Sequence, residues 1–255
     1  MAGTVQLQNM LKILFILLAL QQPKDYPLQR FDVIRVNTDD MSRLPESVRS
    51  LFVDPVPDGE AVDNLEEAVK RAGFTPRILK SPAVVQLYVS RPMNEQAMVN
   101  VAELTNALRD AKITNVTVPQ AWNDVVVNLR QSAGVLTDYG DFFIAQAPPL
   151  TLSAAAGFPL DQFMDVLFRI MGLPASDAGA LRQKFAANPS QFFPIPKRYA
   201  MDIRQVPIGS GTGLLLQNAD KGGELALMWS TADRSYFLSG QLTEAQAIAA
   251  ANSLQ

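Results

Sequence analysis

Between Tyr199 and Gly240 the chain carries four strand-like runs, "YAMDIRQVPI" (199–208), "GLLLQN" (213–218), "ELALMWS" (224–230) and "SYFLSG" (235–240). The breaks between them, "GSGTG", "ADKGG" and "TADR", are short and rich in residues that tolerate tight turns. Short turns let each strand fold back only onto its neighbour, so this stretch predicts an antiparallel meander. Directly after it, Thr243-Glu244-Ala245-Gln246 has the spacing of a capping box, with Ile248, Ala249 and Leu254 extending a terminal helix.

The same reading upstream predicts strands at "FDVIRVN" (31–37), "AVVQLYVSRP" (83–92), "TNVTVP" (114–119), "WNDVVVNLR" (122–130) and "DFFIAQAPPL" (141–150). Helices are predicted at "VDNLEEAVKRAGF" (62–74), closed by Gly73, and at "NVAELTNALRDAKI" (100–113), "PLDQFMDVLFRIMGLP" (159–174) and "SDAGALRQKFAAN" (176–188). The fold class expected is therefore α+β: antiparallel sheet, including the C-terminal meander, packed with four or five amphipathic helices. The domain division expected is a hydrophobic N-terminal segment over 1–22, an α+β lobe over 23–147 and a second over 148–255.

"MLKILFILLAL" (10–20) sets ten apolar residues out of eleven ahead of a Gln-Gln-Pro-Lys-Asp break. As a helix it would be roughly 16 Å long, about half of a ~30 Å hydrocarbon core. It reads as a signal or truncated anchor segment, with Lys12 before the apolar run, and alternatively as a buried or interfacial helix. Residues 10–20 therefore carry an expected membrane association, and the location expected is extracytoplasmic or membrane-associated, with a cytoplasmic one as the alternative.

The 255 residues include no histidine and no cysteine. That removes the commonest general base near neutral pH, every thiolate nucleophile, and the usual ligands of structural zinc. A formal net charge of −3 offers no basic surface for phosphate backbones, so nucleic acid is not an expected partner. The glycines of "IGSGTGLLL" (208–216) lack the Lys-Ser/Thr of a phosphate loop and read as a hairpin turn. There is no Gly-x-Ser-x-Gly elbow and no Ser-x-x-Lys pair, and no cofactor is expected. Acid–base chemistry would fall to carboxylates, with Asp39, Asp40, Asp138 and Asp141 as candidates if folding brings two of them across one cleft. Asn37, Asp39 and Asp40 would also be the donors of a Ca²⁺ site, although the rest of a calcium-loop pattern is missing. Trp122, Trp229, Tyr236 and Phe237 are candidates for a surface receiving a protein partner or a small apolar ligand, against the alternative that they pack in the core.

Three blocks carry a resemblance: "NLEEAVKRAGFTPRILKSP" (64–82), "TVPQAWNDVVVNLRQSAGVLTDYGDFFIAQAPP" (117–149), and the stretch from "FFPIPKRYAMDIRQ" (192–205) to Leu254. They resemble the extracytoplasmic C-terminal regions of bacterial anti-sigma-factor-like membrane proteins, or related domains of unknown function. The elements shared are Ala72-Gly73-Phe74, Met228-Trp229, Tyr236-Phe237-Leu238-Ser239-Gly240 and Ala251-Asn252-Ser253-Leu254. The resemblance implies an outward-facing module that binds or senses, without the family's zinc-binding cytoplasmic half, and it supplies no catalytic residue. Non-enzymatic binding is thus the function expected; a carboxylate-dependent hydrolase and a structural envelope protein are the alternatives.

Overall fold

The structure is a computed structural model that describes residues 26–27, 30–37, 40, 42–49, 59–187, 189–218 and 224–254. Its strands are β1 (Tyr26–Pro27), β2 (Phe31–Val36), β3 (Gly59–Val62), β4 (Gln86–Ser90), β5 (Met93–Met98), β6 (Val126–Gln131) and β7 (Val135–Asp138). They continue as β8 (Phe142–Ala147), β9 (Thr151–Ala154), β10 (Gln191–Pro196), β11 (Met201–Ile208), β12 (Gly211–Asn218), β13 (Glu224–Ser230) and β14 (Ser235–Gln241). The helices are α1 (Glu46–Arg49), α2 (Leu65–Ala72), α3 (Val101–Asp110), α4 (Leu160–Ile170), α5 (Ala175–Ala187) and α6 (Glu244–Ser253). The α+β expectation holds, with sheet outweighing helix among the described residues, 37% against 29%.

The meander is present as β11-β12-β13-β14, and it continues through β8, β7, β4 and β3 into one eight-stranded sheet whose pairings are all antiparallel. A second sheet has the order β1-β9-β6-β5. Both sheets draw strands from each side of residue 147, and β14 pairs with β8 along Ser235↔Ala147 to Gly240↔Phe142. The expected boundary at 147/148 is therefore corrected: the chain does not divide there into two lobes, because the sheet ladder crosses it.

Between the layers lies a parallel pair, β2 with β10. Alternation sends Ile34, Val36 and Phe192 into the core that holds Phe168 and Phe185, while Phe193 and Ile195 meet Leu214, Leu216 and Met228 of the large sheet. A strand apolar on both faces reads as a continuous run, which is why "QFFPIP" shows no alternation. Among the described residues β10 pairs only with β2, and an edge position tolerates its prolines, which cannot donate to a ladder.

The largest core packs the small sheet against α3, α4 and α5, with Leu104, Leu129, Leu152, Phe163 and Trp122 buried together. Capping fixes where helices begin. The Asn64 and Asn100 side chains accept from the backbone N–H of Glu67 and Glu103, and Thr243 with Gln246 forms the predicted capping box. Gly73 closes α2 at φ 78°, where its N–H reaches the Val69 carbonyl. Not every helix is amphipathic: α5 buries only Ala178 and Phe185, and α6 only Ala247 and Ala251. Residues 114–119, predicted as a strand, form none.

The segment after α2 crosses the large sheet as a strap. Gln146 of β8, 1% exposed, accepts from the Arg77 N–H at 2.8 Å and donates its Nε2 to the Arg77 carbonyl at 2.6 Å. Gln146→Leu keeps the size but leaves two backbone groups unpaired, at an expected cost of about 2 kcal/mol. Urea unfolding together with faster amide exchange at Arg77 would register this loss; an unchanged midpoint would show that the strap is not fastened there.

Candidate functional site

Helix α4 turns one stripe, Phe163, Val166, Leu167 and Ile170, into the core. Asp161, Asp165 and Arg169 follow one another at i, i+4 and i+8 along a different stripe, so one helix wall carries all three. Helix α5 runs beside it, and Gly179, Arg182, Gln183 and Ala186 form the facing wall of a groove of about 400 Å³. Arg182 Nε donates to Asp161 Oδ2 at 2.7 Å across the helix pair, and Arg169 Nε donates to Asp165 Oδ2 at 2.7 Å along α4.

Asp165 differs from its neighbour in one atom. Its Oδ1 is buried and has no hydrogen-bond partner in the structure. An unsatisfied buried acceptor costs about 1–3 kcal/mol, and such atoms are uncommon in native proteins. Gly179 adds a second exception to local rules. A glycine inside a helix costs about 0.5–1 kcal/mol relative to alanine, yet a Cβ at Gly179 would meet nothing within 4 Å. Packing does not demand glycine there; its smallness leaves the groove wall open.

The residues singled out from sequence lie elsewhere. Trp122 is 4% exposed and meets Phe158 and Phe163 edge-on, with centroids 5.5 and 6.2 Å away. Trp229 and Tyr236 are buried on one face of the large sheet, stacked at 4.9 Å and 3°. Phe237, the next residue along β14, points to the opposite face and tilts against Phe143 at 5.7 Å. The four aromatics therefore belong to three separate clusters and do not line one surface.

The aspartates do not share a cleft either. Asp40 is buried after β2, where it takes hydrogen bonds from Asn37 at 2.8 Å and Arg43 at 2.5 Å. Its carboxylate occupies the space a side chain at Gly172 would need, 2.2 Å from that Cβ position. Asp138 ends β7, where its Oδ1 accepts from Gly140 N–H at 2.7 Å, and exposed Asp141 lies in the turn that follows. Asp39, and with it part of the calcium reading, lies outside the described residues. Among the described residues no three acidic, histidine or cysteine side chains are placed to share a metal ion. The glycines of 208–216 close the β11–β12 hairpin, Ile208 facing Gly211.

The chain matches no protein-family model, no curated protein and no solved structure. Its own geometry is thus what a functional reading rests on. Sequence reasoning missed Asp161, Asp165, Arg169 and Arg182, because acids and bases spaced by four along a helix ordinarily mark a solvated face. The usable signal was Gly179 in the middle of an otherwise helix-forming run.

Two tyrosines give the molecule an alkaline limit. Burial pushes the Tyr139 phenol above its ordinary value of 10.0, opposed by the hydrogen bond its oxygen accepts from Leu79 N–H at 2.9 Å. Burial likewise raises Tyr236. The unfolded chain gives up these protons near pH 10 and the folded chain only above it, so their contribution is complete below pH 10 and falls as pH rises past it. Tyr139→Phe should cost about 1 kcal/mol at pH ~8 and lessen the further loss at pH ~11. Urea midpoints at the two pH values check this; an identical alkaline slope in wild type and variant would exclude Tyr139 as a source.

Proposed function

We propose that the chain is a non-enzymatic binding module, held outside the cytoplasm or at a membrane through residues 10–20, that receives a partner's hydrogen-bond donor in the groove between α4 and α5. The observation that carries the reading is Asp165 on the groove wall, whose buried Oδ1 has no hydrogen-bond partner. A ligand presenting an ammonium or amide N–H would satisfy it once the carboxylate turns toward the groove. Arg182, whose side chain is 40% exposed, stands ready to take a carboxylate from the same ligand. That pairing of donor and acid is the chemistry of an unblocked peptide end, which suits a protein partner better than the small apolar ligand the aromatic residues suggested. Sensing such a partner is what the outward half of an envelope regulator would do.

A carboxylate-dependent hydrolase is the second reading. Asp161 and Asp165, one helical turn apart on one groove wall, now stand where Asp39, Asp40, Asp138 and Asp141 were the candidates. Against it, each of the two carboxylates is tied to a guanidinium, leaving an acceptor more readily than a proton donor.

Titrating isotope-labelled protein with triglycine tests the binding reading by amide chemical shifts. Saturable shifts at Asp165, Gly179 and Arg182 are expected, with affinity falling about ten-fold in Asp165→Asn. Gly179→Ala should stabilise the fold by about 0.5–1 kcal/mol and still weaken binding. Shifts that leave the groove untouched, or that neither substitution alters, would defeat the proposal.

A further inference from the structure

The small sheet has an end with an unusual surface. Met98 of β5 and Val126 of β6 are 57% and 39% exposed, and they face each other directly in the ladder. Elsewhere on that outer face the side chains are polar: Gln96 donates to Asn128 at 2.9 Å and Arg130 to Asn94 at 3.3 Å. The apolar pair is therefore confined to one end. Ala155, Ala156 and Gly157, exposed in the turn after β9, continue the same rim, because Ala154 stands opposite Val127. Asp124 is the exposed acid closest along the chain, held by Asn123 at 3.0 Å.

Register fixes which way the amino-terminal chain arrives. Tyr26 faces Leu152 and Pro27 faces Thr151 in an antiparallel pairing, so the chain enters β1 from the side of Ala154. That is the end carrying Met98 and Val126. Three strand spacings separate β1 from β5, about 14 Å. The chain thus joins β1 at Tyr26 from the end that carries the apolar rim, and the apolar run 10–20 lies upstream of that point in sequence. Exposed apolar side chains of this size find a natural neighbour in the interfacial region of a bilayer.

We infer that the Met98–Val126 end of the small sheet rests on a lipid surface, so that the module stands on the membrane by this rim while the segment 10–20 holds it there. The inference rests on the reading of residues 10–20 as membrane-associating. With one acid and no base among the rim residues named, the surface it fits is a neutral phospholipid.

A cysteine-free chain accepts a single environment-sensitive dye cleanly. Full-length Met98→Cys, Val126→Cys and, as the control at the other end of the same face, Asn94→Cys would be labelled and floated with phosphatidylcholine vesicles. Flotation together with blue-shifted, brighter emission at 98 and 126 but not at 94 is the expected result. A Met98→Ser/Val126→Ser protein should partition about ten-fold less. Failure of every form to float would overturn the membrane reading itself. Flotation with silent dyes at 98 and 126, or with the response at 94, would keep the tether and overturn the orientation. Dyes at 98 and 126 already shielded without vesicles would assign the rim to a protein contact instead.

Discussion

Gly240→Ala is expected to destabilise the protein by about 3 kcal/mol or more, a large share of a total stability on the order of 5–15 kcal/mol. Gly240 faces Phe142 across the β14–β8 ladder. A Cβ added there would lie 2.4 Å from both the Asp141 carbonyl oxygen and Phe142 Cβ, and 2.5 Å from Phe142 Cα. Those atoms are backbone or fixed to it, so no rotamer change relieves the overlap. The neighbouring bond, Gln241 N–H to the Asp141 carbonyl at 3.0 Å, would be strained by the same displacement. The seam matters beyond its length because it joins the meander to the four strands contributed from upstream. Urea unfolding followed by circular dichroism reads the loss; a change below about 1 kcal/mol would mean that the two strands separate more easily than their register implies.

Trp229→Ala should cost about 3–5 kcal/mol, the range for emptying an aromatic site in a packed core. The indole is 4% exposed and lies flat against Tyr236, whose ring is itself buried. Removing it takes away the stacked partner and leaves a cavity in the cluster that also holds Leu238 and Ala247. Phe237→Ala, half-buried on the other face, should cost clearly less. The comparison discriminates between two roles: a tryptophan that lined an open ligand surface would lose binding on truncation but little stability. A Trp229→Ala protein with an unshifted thermal midpoint would return that residue to the ligand-site candidates.

Local chemistry made the meander, the capped helices and the Gly73 stop legible, since turn residues, caps and periodicity act over a few positions. What stayed hidden is set by distant partners. "QFFPIP" is a strand because two different cores claim its opposite faces. Strand β5, "MNEQAM", has no β-branched residue and pairs because β6 lies beside it. The boundary at 147/148 followed from reading the chain in order, whereas the large sheet closes its two halves through β8 and β14. The groove was illegible for a related reason: Asp161 meets Arg182 twenty-one positions later only because α5 folds back along α4. The aromatic candidates show the limit of residue type as a signal, because Trp122 and Trp229 serve packing in two separate cores.

The central claim is that the groove holds a partner and does not transform one. The direct measurement is turnover of a panel of chromogenic ester, glycoside, phosphate and peptide substrates by wild type and by an Asp161→Asn/Asp165→Asn protein shown to be folded. The account predicts equal, background rates for the two proteins, with triglycine binding lost in the variant. Turnover by wild type that disappears in the folded variant would contradict it and make the groove an active site.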